Sequence, residues 1–474
     1  MIEAEPTVVG RLSFGLLIVF LFIIFSRIFD VKLSYLHIPG ITFRFLALFL
    51  VLTGSFVAAF RDRIGKCVLG FTAFFVLAIP FSVWRGGSVD TFMNSWLTAL
   101  VVFVATAALI PDFQRYLKAA NTIAYAMFVL TLISLAFGTV QDGRLMLDAG
   151  RFANPNEMAQ ALLLGMPFWW AIAMTSRGLF WKLAGTGTLA LMLYTISKTG
   201  SRGALISIGV IALSMFLRSS AVGKLKLLIT VGFLLAVAVL TLPANLKQRY
   251  LTFFTPDTQE ESADQPNDQY MIDSAVSSAN EREQMFKRSL IVTFQHPLFG
   301  VGPGMFMVAE DQMAREEGRR KGAWLGTHNT FTQVSSECGI PAFLFYAGIV
   351  VLSFKRSYSL YRRTKNHPEW KEISTHALAL HYSLIAFIVT GVFIHAAYTA
   401  LLPVLAGMTI SMARTAEPLL AGNAGRQGAW YRGESDSEPL DLYPSGRGIP
   451  SSGRLPQNRR RPFAVHAPQP PSAA

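Results

Sequence analysis

The side chains best suited to chemistry lie around one long hydrophilic segment of the chain. Residues 243–327 form the only large polar stretch between apolar segments, and His328 follows them directly in GTHNTFTQVSSECGIPAF. Imidazole has a pKa suited to proton transfer near neutral pH. Arg282 and Arg288 lie within the polar stretch, and guanidinium groups bind phosphate through paired hydrogen bonds. This combination indicates proton transfer beside a bound anion, on a substrate that is partly lipid and partly water-soluble.

A second basic group lies in the sequence SKTGSRGALIS. Lys198 and Arg202 flank Gly200 and Gly203 there. Glycines let a ligand approach the backbone, and a helix that starts at Ser201 would direct free N–H groups toward the same place. Lys198 and Arg202 are therefore candidates for an anion-binding site.

Polar residues also precede the apolar run of GRFANPNEMAQALL. The pattern Asn154-Pro-Asn156, followed by Glu157, is typical of the start of a helix. A helix start does not account for Arg151. This arginine either binds a ligand or lies at a membrane interface, with its aliphatic part in the apolar layer. Arg151, Asn154 and Asn156 are therefore candidates for substrate binding.

Glu337 lies inside an apolar segment, where a carboxylate is costly unless it has a partner. It is therefore a candidate for substrate binding or for a structural pair. Among the other histidines, His296 ranks second to His328, whereas His381 and His395 are expected to form hydrogen bonds between helices. Cys67 and Cys338 are expected on opposite sides of the membrane, so no disulfide is expected. No pair or CxxC spacing indicates a metal site, and no cofactor is expected.

The elements that position these residues are apolar helices. Of 474 residues, 52% are apolar and only 15% are charged, well below the charged share of a soluble protein. Continuous apolar runs of about 20 residues span the hydrocarbon core only as helices. The sequence predicts an all-α polytopic membrane protein with about twelve transmembrane helices. The expected spans are 11–29, 41–60, 64–84, 92–110, 117–138, 156–175, 180–197, 202–217, 225–242, 329–354, 378–395 and 397–412.

These spans divide the chain into four predicted parts. They are a transmembrane bundle of about nine spans at 1–243, a large extracytoplasmic loop with short helices at 244–328, the last spans at 329–413, and a disordered cytoplasmic tail at 414–474. Residues 377–413 are open to two interpretations: one long helix, or two short helices broken near Tyr398 and Pro403.

The orientation follows from basic residues in the short loops. RDRIGK, PDFQRYLK, TSRGLFWK and RSSAVGKLK alternate with loops poorer in Lys and Arg. The positive-inside rule then places the N-terminus in the cytoplasm and the large loop on the outer face. The net charge of +13 is explained by this topology signal and needs no nucleic acid.

Four motifs together resemble the O-antigen ligase superfamily, which includes O-antigen polymerases. They are, in order, GRFANPNEMAQALL, TGSRGALIS, EREQMFKRSLIVTFQHPLFGVGPGMF and HNTFTQVSSECGIPAFLFY, within residues 144–352. The resemblance implies metal-independent, inverting glycosyl transfer at the periplasmic face of the bacterial inner membrane. The implied donor is a glycan on undecaprenyl diphosphate, and the implied acceptor is a hydroxyl of lipid A core or of another glycan.

The resemblance also implies roles for three residues. Arg202 and Arg282 would hold the diphosphate, because a leaving diphosphate needs cationic donors. His328 would orient or deprotonate the acceptor hydroxyl. A simpler alternative is that His328 caps the helix that follows, together with Asn329 and Thr330.

Three functions remain open at this point: a ligase, a polymerase with the same donor chemistry, and a polysaccharide or lipid transporter. A transporter would need charged or broken helices at the bilayer midplane, whereas most ionisable residues here cluster near the predicted outer rim. This distribution disfavours transport. The choice between ligase and polymerase depends on acceptor recognition, which the motifs do not specify.

Overall fold

A computed structural model describes residues 8–31, 33–148, 150–251, 266–318 and 324–431. The described residues up to 421 form one compact unit. The predicted all-α class is confirmed, since the described residues are almost entirely helical. The helices are α1 (Val8–Ser26), α2 (Ile28–Val31), α3 (Ile38–Leu52), α4 (Phe56–Arg61), α5 (Arg63–Ala78), α6 (Arg85–Thr91), α7 (Leu97–Ala108), α8 (Phe113–Phe137), α9 (Pro155–Thr175), α10 (Leu179–Lys198), α11 (Arg202–Arg218), α12 (Ala221–Thr241), α13 (Ala244–Leu251), α14 (Pro266–Gln295), α15 (Phe306–Glu316), α16 (Thr330–Thr364), α17 (Lys371–Gly391) and α18 (Leu401–Tyr431).

Two short strands, β1 (Thr139–Gln141) and β2 (Arg144–Met146), form an antiparallel hairpin between α8 and α9. Asp142 and Gly143 form its turn, both with positive φ, as expected for an Asp-Gly hairpin. This hairpin was not predicted from the sequence. It lies where the chain reverses at one end of the helical bundle.

Within the described residues, eight helical segments are long and apolar enough to cross a membrane. About twelve were predicted. The difference is partly explained by shorter helices: α3 has 15 residues and α11 has 17. The predicted span 41–60 is divided between α3 and α4, because the chain turns at Gly54 with a φ of 61°, a conformation that favours glycine.

Residues 377–413 are divided between two helices, α17 and α18, by a non-helical segment at 392–400. This observation selects the second of the two interpretations of residues 377–413. The break includes Tyr398, but Pro403 lies in the first turn of α18, where a missing N–H costs little. Helix α18 runs to Tyr431, beyond residue 414, where the sequence predicts a disordered tail.

Three features of the sequence lie outside the described residues. These are the acidic stretch at 259–265, the pair Arg319 and Arg320, and the basic cluster at 458–461.

The core is built around α16, which packs against α5 and α17, while α17 packs against α9. Helix α16 is kinked at Gly339, which has a φ of 87°. The glycine-rich turn GVGPG is fixed at this kink: Val301 N–H donates to Ser336 O at 3.0 Å, and Gly302 N–H donates to Glu337 O at 2.9 Å. A Cβ on Gly300 would lie 2.3 Å from the backbone of Glu337. The backbone of this turn therefore packs directly against the backbone of α16 at the kink.

Candidate anion-binding and proton-transfer site

Four arginines from four different elements lie in one electrostatically coupled group, here called the arginine cluster. They are Arg144 of β2, Arg202 at the start of α11, Arg249 of α13 and Arg282 of α14. The sequence predicted Arg202 and Arg282 as partners. The positive charges of these two residues lower the pKa of Arg144 and Arg249, and the charge of Arg202 lowers the pKa of Arg282.

Burial and then the neighbouring charges of Arg249 and Arg282 lower the pKa of Arg144 to about 9. Burial, then the charges of Arg202 and Arg282, lower the pKa of Arg249 to about 10. Burial and then the charge of Arg202 also lower the pKa of Arg282. All these groups stay protonated at neutral pH. Like charges held this close repel each other, and an anion bound among them would relieve the repulsion.

Arg144 is held by two neighbours of the site. Its Nε donates to the carbonyl of Thr199 at 2.8 Å, and its Nη2 donates to Oδ1 of Asn156 at 2.9 Å. The first contact connects the hairpin to the turn between α10 and α11, and the second connects it to the start of α9. Arg144 is therefore positioned by two of the predicted motifs, although the sequence did not single it out.

Arg249 is held against the same turn. Its Nε donates to Gly200 O at 3.3 Å, and the hydroxyl of Tyr250 donates to Ser197 O at 2.7 Å. Gly200 has a φ of 62°, and a Cβ there would lie 3.2 Å from Cδ of Arg249. Glycine thus allows both the turn and the close approach of the arginine. The predicted helix start is confirmed, because Ser201 caps α11.

His328 lies immediately before α16, but Asn329 is the cap. The Asn329 Oδ1 accepts the N–H groups of Phe331 at 2.9 Å and Thr332 at 3.1 Å. His328 itself has a φ of 47°, a conformation uncommon for a residue other than glycine. The alternative that His328 caps the helix is therefore wrong. Asn329 performs that function and leaves the imidazole directed elsewhere.

The imidazole of His328 is coupled to the arginine cluster and to a second histidine. Burial, then the charges of His395 and Arg282, lower the pKa of His328 to about 4. The rings of His328 and His395 meet edge to face, with centroids 5.4 Å apart. At neutral pH, His328 is thus a neutral imidazole next to a cationic cluster, in the protonation state required of a base.

His395 comes from the non-helical segment 392–400, not from a helix as the sequence predicted. This segment is fixed to the start of α16: the Thr330 hydroxyl donates to Ile394 O at 2.6 Å, and Ala397 N–H donates to Gln333 Oε1 at 3.1 Å. The break between α17 and α18 therefore brings a second imidazole to His328.

The other predicted binding residues are distributed around this site. Asn154 caps α9 by accepting the N–H of Asn156, which confirms the predicted helix start. Arg151 lies in the turn before it. Lys198 ends α10, with its ammonium 5.0 Å from the ring centre of Tyr194.

Two predicted binding residues are engaged by the protein itself. Arg288, on α14, forms a bidentate ion pair with Glu317, at 2.5 and 2.8 Å. Glu337 is buried and accepts hydrogen bonds from the Tyr398 hydroxyl at 2.7 Å and the Gly304 N–H at 2.8 Å. These contacts favour the structural-pair interpretation of Glu337.

Sequence reasoning missed Arg144, Arg249, Tyr250 and His395. Lys198 and Arg202 are basic residues on the predicted outer face, against the positive-inside bias, and the same is true of Arg144 and Arg249. His395 carries no such signal, because its position depends on where a helix breaks.

A comparison with curated proteins gives no match. A family model described as O-antigen ligase matches residues 187–347. The matched residues include Arg202, Arg249, Arg282 and His328, whereas Arg144 and His395 lie outside them. The match over residues 187–347 supports the resemblance to the O-antigen ligase and polymerase superfamily, and the apolar helices are those of a multi-pass membrane protein.

Proposed function

We propose that the protein transfers a glycan from undecaprenyl diphosphate to a hydroxyl of lipid A core, at the outer face of the bacterial inner membrane. The observation that carries this proposal is the arginine cluster beside the neutral imidazole of His328. A cluster of cations suits a diphosphate, and an adjacent base suits a hydroxyl acceptor.

The arginine cluster would act on the leaving group. As the bond between the anomeric carbon and the phosphate oxygen breaks, negative charge grows on the diphosphate. Guanidinium groups already fixed around that position stabilise the growing charge without reorganising. The arginines thus supply the positive charge, so the proposed reaction needs no metal ion.

His328 would act on the acceptor. Its neutral imidazole takes the proton of the acceptor hydroxyl while the oxygen forms a bond to the anomeric carbon, opposite the departing diphosphate. This geometry inverts the configuration at that carbon. A bound diphosphate also makes His328 more basic, because nearby negative charge favours the imidazolium form.

The test uses purified protein, an undecaprenyl-diphosphate oligosaccharide and lipid A core. We expect undecaprenyl diphosphate and glycosylated lipid A core to form in equal amounts. If no diphosphate is released while the lipid-linked substrate crosses the membrane of liposomes, the protein is a transporter and the proposal is wrong.

A polymerase with the same donor chemistry is the second candidate, since the arginine cluster serves both. The two differ in the acceptor, which for a polymerase is a second lipid-linked glycan. In a deletion strain, loss of a ligase leaves long chains on the lipid carrier, whereas loss of a polymerase leaves single repeat units.

The topology gives a separate prediction. A reporter that is active only outside the cytoplasm should be active when fused after Gln269 and inactive when fused after Lys365, because the basic loops orient the chain. Reporter activity is normalised to the amount of fusion protein. The reverse pattern would place His328 on the cytoplasmic face and overturn the proposed location of the reaction.

A further inference from the structure

A cavity of about 330 Å³ lies on the bundle beside the start of α9. It is lined by the end of α1, the π-helical turn before α7, α8, α9 and the segment 392–400. Its volume is at the lower end of the range found for small-molecule sites, about 300–1,000 Å³. The residues that matter here are Arg27, Asn94, Thr98, Glu157, Gln160 and Tyr398.

The cavity lining includes several hydrogen-bonding side chains. Asn94 donates to Asp90 at 2.6 Å and Gln160 donates to Thr390 at 2.8 Å through their amide nitrogens, and each side chain also carries a carbonyl oxygen that can accept a hydrogen bond. Thr98 adds a hydroxyl, which both donates and accepts. The lining also includes the aromatic side chains of Phe25, Phe152 and Tyr398. A sugar ring presents both hydroxyls and apolar C–H groups, so it matches a lining that combines hydrogen-bonding and aromatic side chains.

The charge of the cavity differs from that of the arginine cluster. The guanidinium of Arg27 pairs with Asp30 at 2.7 Å and lies 5.3 Å from the ring centre of Phe152. Glu157 adds a carboxylate to the lining. Because the cationic charge is balanced by acidic groups, the cavity suits an uncharged polyol better than a phosphate.

Two segments connect the cavity to the proposed reaction site. The segment 392–400 lines the cavity with Tyr398 and carries His395, whose ring meets that of His328. The first turn of α9 lines the cavity with Glu157, while its Asn156 holds Arg144 at 2.9 Å. A ligand in the cavity would thus contact the same two segments that lie against His328 and hold Arg144.

We propose that this cavity binds an uncharged sugar residue of the acceptor glycan and thereby directs its hydroxyl toward His328. This inference rests on the proposed function and assigns acceptor recognition to residues of α7, α9 and the segment 392–400. The diphosphate of the donor remains with the arginine cluster.

The test fills the cavity. Thr98→Phe places a ring where the sugar would bind, and Asn94→Leu removes one amide at an exposed position. The control is Thr186→Phe on α10, an exposed threonine whose hydroxyl donates to the carbonyl of Lys182 in the same helix. The full chain is assayed with lipid A core that ends in a neutral hexose, and with the same acceptor after enzymatic removal of that hexose.

With the intact acceptor, Thr98→Phe should raise the acceptor KM by at least about tenfold, and Asn94→Leu by about tenfold. The donor Kd and the kcat at saturating acceptor should stay within about threefold of those of the control. Removing the hexose should raise the KM of the unmodified protein and change that of Thr98→Phe little.

Two results would overturn the inference: an acceptor KM unchanged in both variants, or a weakened donor Kd with the acceptor KM unchanged, which would assign the cavity to the donor. Both results leave the proposed function intact, since the unmodified protein still releases undecaprenyl diphosphate. Absence of that release in the unmodified protein contradicts the proposed function instead.

Discussion

His328→Ala should lower turnover by roughly 10²–10⁴-fold, the usual effect of losing a positioned proton acceptor. The donor Kd should change little, because the arginine cluster holds the diphosphate. Transfer and binding of the lipid-linked donor are measured on the same preparation. Since Asn329 provides the helix cap, the loss of His328 removes no capping bond, and the stability of the protein should be preserved.

The control for this variant is His296→Ala, which changes an exposed histidine just after α14. It should retain turnover. Weakened donor binding with normal turnover at saturation in His328→Ala would rule out the role of a base and move His328 to the donor site.

The pH profile tests the same role independently. The pKa of His328 is lowered to about 4 in the free protein, so the unprotonated base is present at all higher pH values. We expect kcat/KM to stay level as the pH falls from about 8 to about 5.5 and to decline only near the lowered value. A decline centred near the ordinary histidine pKa of about 6.5 would contradict the burial and charge environment of His328.

Arg202→Lys should lower turnover by about 10²–10³-fold, the effect of losing one fixed donor to a developing anion. Lysine keeps the charge but lacks the planar fork that binds two oxygens at once. Arg282→Ala should be comparably damaging, because it removes a charge coupled to both Arg202 and His328. Transfer rates and donor Kd are compared at equal amounts of inserted protein.

Lys287→Ala is the matched control for Arg282→Ala. Lys287 lies on the same helix, is exposed, and pairs with its neighbour Glu283, so its loss should leave turnover within a few-fold. If Arg202→Lys transferred glycan at a near-normal rate, the diphosphate would have to bind elsewhere than at the arginine cluster.

Helix starts were predictable because capping is local. Asn154 and Ser201 each bond to an N–H two or three residues further along the chain, so their role is contained in a few consecutive residues. The same argument fails for His328 and Asn329, which are adjacent and both polar. Which of the two caps α16 depends on backbone angles that the residue types do not specify.

The membership of the arginine cluster was only half predictable. Arg202 and Arg282 lie in motifs that resemble a known superfamily, whereas Arg144 reaches the cluster through a short hairpin and Arg249 through the packing of α13 against the turn at Gly200. Arg144 and its partner Thr199 are 55 positions apart in the chain, and Arg249 and its partner Gly200 are 49 positions apart. Periodicity and spacing report on neighbours in sequence, so they do not show such contacts.

By itself, the sequence determined the helical membrane class, the helix starts beside the site, and three of the residues in it, because apolar length, capping and charge type act locally. Only the tertiary structure decided that four arginines converge, that Asn329 frees His328 from capping, and that the break at 392–400 brings His395 to it. These depend on how distant helices pack, and packing energies are shared among residues that no local pattern connects.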